Sequence, residues 1–142
     1  MWFQITNVHS TTSYLTWLGG PVSSFNQTEP FFTASGIINS RGLAVGSSTT
    51  TAPTTPTSTF FVCNPNIPFV IHAFEWRNGV VTDLGALPGV DNCSGAIGGN
   101  AKGDVVGSSE NAEIDPLTGI NESRAVLWRD GQITDIGTFR RI

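Results

Sequence analysis

Ala73-Phe74-Glu75-Trp76-Arg77-Asn78-Gly79-Val80-Val81-Thr82-Asp83-Leu84 returns 52 residues later as Ala125-Val126-Leu127-Trp128-Arg129-Asp130-Gly131-Gln132-Ile133-Thr134-Asp135-Ile136. Each copy sets an Asn-Gly or Asp-Gly pair between β-rich runs. A type I′ turn requires positive φ at both central residues, and these pairs supply it, so each copy reads as a tight hairpin with Gly79 or Gly131 in the turn. A second phrase also recurs. Asn39-Ser40-Arg41-Gly42-Leu43-Ala44-Val45-Gly46-Ser47-Ser48 comes back as Asn100-Ala101-Lys102-Gly103-Asp104-Val105-Val106-Gly107-Ser108-Ser109, 61 residues on. Here Asn39 or Asn100 opens a slightly longer turn, and Gly42 or Gly103 takes its left-handed position before the strand of Val45 or Val106. The Thr-Asp phrase has a third, earlier relative in Ile5-Thr6-Asn7-Val8, with Asn7 where the others carry Asp83 and Asp135.

Phrases that recur in this way mark a repeat protein, in which each unit needs its neighbours to bury its apolar face. One full unit reads as four strands, at 71–76, 80–86, 94–98 and 104–109. Four antiparallel strands of this kind make a sheet of β-propeller type, so the expected fold class is all-β. The single repeat domain, 1–142, divides into a partial unit at 1–48, a Thr/Pro-rich connection at 49–70, a full unit at 71–110, an acidic connection at 111–122 and a partial unit at 123–142. Val81 and Leu84 are three apart and cannot both face one side of a regular strand, which calls for a sheet packed on both faces or a local bulge. The count comes to about two and a quarter units, whereas closed propellers use roughly four or more. An incomplete propeller is therefore expected: a fragment of a larger one first, otherwise an open stack or a ring completed by copies of the chain.

Composition agrees with this and narrows the function classes. Of the 142 residues, 39% are hydrophobic and only 13% charged, leaving a large share for the Gly, Ser, Thr and Asn of turns and strands. A net charge of -4, with seven Lys and Arg and no basic run, gives no footprint for nucleic acid or an anionic membrane. No apolar run is long enough to span a bilayer. The start, Met1-Trp2-Phe3-Gln4-Ile5-Thr6, lacks the basic and apolar regions of a signal peptide, so the chain either stays inside or belongs to a longer exported precursor. Its low-Lys, Ser- and Thr-rich surface fits export. Cys63 and Cys93 do not form a C-x-x-C pair, which argues against zinc. In an oxidising compartment they could form one disulfide; otherwise they are two small buried hydrophobes.

The second unit, His72-Ala73-Phe74-Glu75-Trp76-Arg77-Asn78-Gly79-Val80-Val81-Thr82-Asp83-Leu84-Gly85-Ala86-Leu87-Pro88-Gly89, resembles the bacterial extracellular repeat family named HAF after its His-Ala-Phe opening. Its Leu-Gly-Gly turn and Ile-Asn-x-x-Gly-x-Val-Val-Gly hairpin are matched by Leu18-Gly19-Gly20-Pro21, by Asn39 to Gly46 and by Asn100 to Gly107. The resemblance implies an exported, propeller-like repeat protein without catalysis. Two departures matter: Arg124-Ala125-Val126 replaces His-Ala-Phe, which makes the His no obligatory ligand, and Ile97-Gly98-Gly99-Asn100 inserts two glycines.

The residues with chemistry to offer each have a structural alternative. His9 and His72 are the only histidines, and neither sits in a nucleophile motif; His72 reads as a cap at a strand entrance. Trp76 and Trp128 could form a ladder that stacks on sugar rings, but their equivalent positions favour core packing. Asp83 and Asp135 would have to face one another across a cleft to act as acid and base. The structural alternative is acceptance of backbone N–H bonds. Asn111, Glu113, Asp115, Asn121 and Glu122 carry oxygens of the kind calcium prefers without a calcium-loop signature, so no cofactor is expected. Asn26, Asn92 and Asn121 match the glycosylation pattern, a coincidence in a chain of bacterial character. The expected function is a non-enzymatic extracellular module acting as a structural or interaction surface, with further repeat units, copies of itself or a glycan as partner. A carbohydrate- or ligand-binding propeller is the alternative, and a propeller glycosidase or lyase comes third.

Overall fold

The computed structural model describes residues 33–58, 63, 67–89 and 91–137. The first Thr-Asn phrase, His9, Leu18 to Pro21 and Asn26 lie outside the described residues. Eight strands follow in chain order: β1 (Thr33–Ile38), β2 (Ala44–Pro53), β3 (Phe69–Arg77), β4 (Val80–Gly85), β5 (Ser94–Gly99), β6 (Val105–Ile114), β7 (Asn121–Arg129) and β8 (Gln132–Gly137). They form two open antiparallel meanders, β1-β2-β3-β4 and β5-β6-β7-β8. The described chain is all-β and holds no helix long and apolar enough to cross a membrane.

The hydrogen bonding corrects the expected grouping of strands. The segments 71–76, 80–86, 94–98 and 104–109 do fall on strands, but the first two share a sheet with β1 and β2 and the last two share one with β7 and β8. Sequence phrase and sheet are out of phase by two strands. The cause lies at the end of β4, where Phe74 faces Asp83 but Ala73 faces Gly85, so Leu84 is an extra residue. Gly85 follows at φ 66, Gly89 at 151 and Asp91 at 56, and the chain swings away to begin the next sheet. The bulge also explains Val81 and Leu84, since it resets the alternation between them. The connections are shorter than expected as well: β2 runs to Pro53 and β3 starts at Phe69, while β6 runs to Ile114 and β7 starts at Asn121.

The two sheets share one ladder. Ala44 pairs with Trp76 and Val105 with Trp128; Pro53 pairs with Phe69 and Ile114 with Asn121. The bulges coincide too, at Ser35/Ile37 and Ala96/Gly98, and at Ala73/Phe74 and Ala125/Val126. Sheet stacks on sheet through Leu43, Val45 and Ala73 of the first and Ala96, Val105, Val126 and Trp128 of the second, with Leu84, Leu87 and Ile133 at the margin. β5 makes the close approach. A Cβ added at Gly95 would lie 2.9 Å from the Ser47 hydroxyl, and one at Gly99 2.7 Å from a Leu43 methyl. A smaller cluster, Cys63, Val70, Ile71 and Cys93, closes the other end of β3.

Candidate functional site

Each bulge is held by a carboxylate. Asp83 Oδ1 accepts the Gly85 N–H at 2.8 Å, and Asp135 Oδ1 accepts that of Gly137 at 2.7 Å. The side chain two residues before the one paired with each carboxylate completes the arrangement: His72 Nδ1 lies 3.1 Å from Asp83, and Arg124 Nε donates to Asp135 Oδ2 at 3.1 Å. His72 and Arg124 occupy the same place in the two ladders, as do Ser48 and Ser109 opposite them. Asp83, His72 and Ser48 thus cross three strands in the order that would suit a nucleophilic triad. Two observations argue for a structural row. Ser48 is 1% exposed, and its counterpart row uses Arg124, whose guanidinium cannot accept a proton.

The longer turns are built alike. Asn39 Oδ1 accepts the N–H groups of Arg41 and Leu43, and Asn100 Oδ1 those of Lys102 and Asp104, with Gly42 at φ 75 and Gly103 at φ 98. Asn39 Nδ2 also donates to the Asn100 carbonyl at 2.9 Å, which ties one turn to the other across the sheets. In the tight hairpins Asn78, Gly79, Asp130 and Gly131 all have positive φ, as a type I′ turn demands.

The two Trp side chains part company. Trp128 is 3% exposed in the core between the sheets, and its Nε1 meets no acceptor among the described residues, while Trp76 is half-buried. No exposed Trp row exists among the described residues. Over Trp128 lies a groove of about 320 Å³ between the sheets, rimmed by Glu75, Arg77, Lys102 and Asp130. Its wall includes Arg129, which binds Asp104 through Nε at 2.8 Å and Nη2 at 2.9 Å. The hydrogen bonds from Arg129 and Asn100 lower the Asp104 carboxyl to about 2.

Sequence reasoning passed over the serines and Glu110. Ser94 Oγ accepts the Ala73 N–H at 2.9 Å and donates to the Gly85 carbonyl at 2.7 Å, so a hydroxyl of the second sheet sits in the bulge of the first. Ser109 Oγ takes the Leu87 N–H at 2.9 Å. A signal was present: Ser109 recurs from Ser48 within the repeated phrase, and Ser94 shares its ladder position with the hydroxyl residue Thr33. Cys63 and Cys93 form a disulfide, with Cα atoms 5.6 Å apart. Glu110 is fully buried beside it and accepts the Cys93 N–H at 2.9 Å. Cys63, Cys93 and Glu110 have ligand atoms within 4.8 Å of one another, but sulfurs joined in a disulfide are not thiolate ligands.

Of the acidic connection, Asn111 Oδ1 accepts the Glu113 N–H and Asp115 Oδ1 those of Leu117 and Thr118, ordinary Asx turns. Asn92 and Asn121 are buried, 2% and 5% exposed, and beyond the reach of a glycosylating enzyme. No protein-family model, curated protein or solved structure matches the chain.

Proposed function

We propose that the chain is a non-enzymatic, exported repeat module of β-propeller type, akin to the HAF repeats, whose sheets serve as a structural and interaction surface. The observation that carries this reading is the duplicate use of its polar residues. Asp83 with His72 and Asp135 with Arg124 perform one task, holding a bulge, in two sheets of the same ladder. Residues kept for chemistry would have no reason to recur in a second sheet with the proton acceptor replaced. The Cys63–Cys93 disulfide supports export, because such bonds persist in oxidising compartments.

The test exchanges the carboxylate's partner in one sheet for that of the other. His72→Arg should leave stability within about 0.5 kcal/mol of the parent, while Asp83→Ala should cost about 1–2 kcal/mol by freeing the Gly85 N–H and the His72 ring. Neither should change turnover on a panel of chromogenic glycosides and esters, because the parent should show none. Hydrolysis by the parent that both variants abolish would overturn the proposal.

The groove favours a second reading, ligand or carbohydrate binding. Glu75, Arg77 and Lys102 make no side-chain hydrogen bond or ion pair with the described residues and leave donors and acceptors open on one rim. A glycan array that stays blank would remove it.

A further inference from the structure

We infer that the outer face of the second sheet is a docking face for one more four-stranded sheet of the same repeat, received through the same hydroxyl latch that joins the two sheets present. This rests on the repeat-module reading and names its partner. The face at issue is the counterpart of the one that the second sheet covers on the first. Val45 and Ala73 are fully buried there, whereas their equivalents Val106 and Ala125 are exposed, Val106 by 41%. Leu84 packs on the core, and its equivalent Ile136 is 57% exposed. Apolar side chains repeated in register have thus lost only their cover.

The polar half of the joint is repeated as well. In the first sheet the bulge presents the Ala73 N–H and the Gly85 carbonyl, and Ser94 Oγ engages both. In the second sheet the same bulge presents Ala125 and Gly137, paired in the same register, and no hydroxyl of the described residues reaches them. An occupant must therefore bring a Ser or Thr hydroxyl at the place of Ser94, and glycines at the places of Gly95 and Gly99 where the sheets come close. Two positions change between charged and apolar: Leu127 stands where the first sheet has Glu75, and Asp104 replaces Leu43 and is neutralised by the two bonds from Arg129. The incoming glycine then rests on an ion pair instead of a methyl group.

The register supplies the probe. β4 ends at Gly85 and β8 at Gly137, 52 residues apart, so a second copy of residues 86–137 placed directly after Gly137 continues the chain in phase. In this extended chain, hydrogen exchange at the Ala125 amide should slow by about tenfold or more relative to the parent. Ser94→Ala in the added copy should restore fast exchange at Ala125, while Val106→Asp, at a side chain exposed in the parent, should release the added sheet without unfolding the rest. An Ala125 amide that exchanges equally fast in the extended and parent chains overturns the inference, whether or not the added copy folds. Turnover would defeat the module reading and unchanged exchange only the docking face, so the two failures are separable.

Discussion

At the scale of single residues, Asp83, Asp104 and Asp135 serve the turns and bulges. Asp83 and Asp135 were legible from sequence as recurring carboxylates, and their backbone role follows from the Thr-Asp phrase ending in a glycine at positive φ, Gly85 or Gly137. Their side-chain partners were not legible, since His72 and Arg124 look unrelated until the ladder sets them at one position. Asp104 offers the clearest measurement. Its carboxyl is held at about 2, first by the hydrogen bond from Arg129 and then by that from Asn100. A carboxylate depressed in the folded state contributes stability that is fully present above the unfolded pKa, near 3.9, and lost as pH falls through about 2. Carboxyl titration by NMR should therefore find the Asp104 midpoint near 2, and Arg129→Gln should raise it toward the ordinary value of 3.8. The stability gap between parent and variant should be present at neutral pH and close in the acid range between those two values. A midpoint that Arg129→Gln leaves in place would show that the guanidinium is not the cause.

At the scale of elements, the hairpins could be read from Asn78-Gly79 and Asp130-Gly131, because positive φ at two successive positions is a local demand that few residue pairs meet. What could not be read was which hairpin pairs with which. Strand pairing across a long connection depends on where the chain is turned out of the sheet, and here that is decided by one extra residue, Leu84, opposite Ala73 and Phe74. A bulge has no strong sequence mark, so the phase of the sheet stayed hidden while its strands did not. Gly107 carries an element-level prediction. It pairs with Ala96 in the middle of the second sheet, and a Cβ there would collide with the Gly95 carbonyl and approach the Ala96 Cα at 2.9 Å. Both obstacles are backbone, so the strand itself must move. Gly107→Ala should cost about 3 kcal/mol or more, seen in denaturant unfolding as a lower midpoint with loss of amide protection along β5 and β6. Gly131→Ala makes the contrast: its site is open, and only its φ of 73 is strained, so about 1–2 kcal/mol is expected.

At the scale of the whole molecule, the two sheets are held by more than their apolar faces. The connection 54–68, which returns β2 to β3 in the first sheet, also reaches the second, where the Asn121 N–H donates to the Thr57 carbonyl at 2.7 Å. Cys63 lies on that connection, and its disulfide to Cys93 fixes the residue just before the Ser94 latch. The Ile71 N–H points at the Cys93 sulfur from 3.3 Å, so the bridge also covers the part of β3 that β4 does not reach. Residues 63 and 93 are 30 apart in sequence. By the loop-entropy model a closure of that length restricts the unfolded chain enough to stabilise the fold by about 3–4 kcal/mol. For a domain of this size such a loss should lower the melting temperature by roughly 10–20 °C. Reduction, or Cys63→Ser with Cys93→Ser, should produce that shift, and exchange should quicken first along 54–58 and at the amides of Ile71 and Ala73. The far end of β7, from Ala125 to Arg129, and β8 should keep their protection until the global transition, whereas Asn121 at the start of β7, bound to Thr57, should lose its own with the connection. If thiol titration counts two free sulfhydryls while the melting curve stays where it was, the bridge is not what holds the entry to the second sheet, and the apolar face with Ser94 must carry the joint alone.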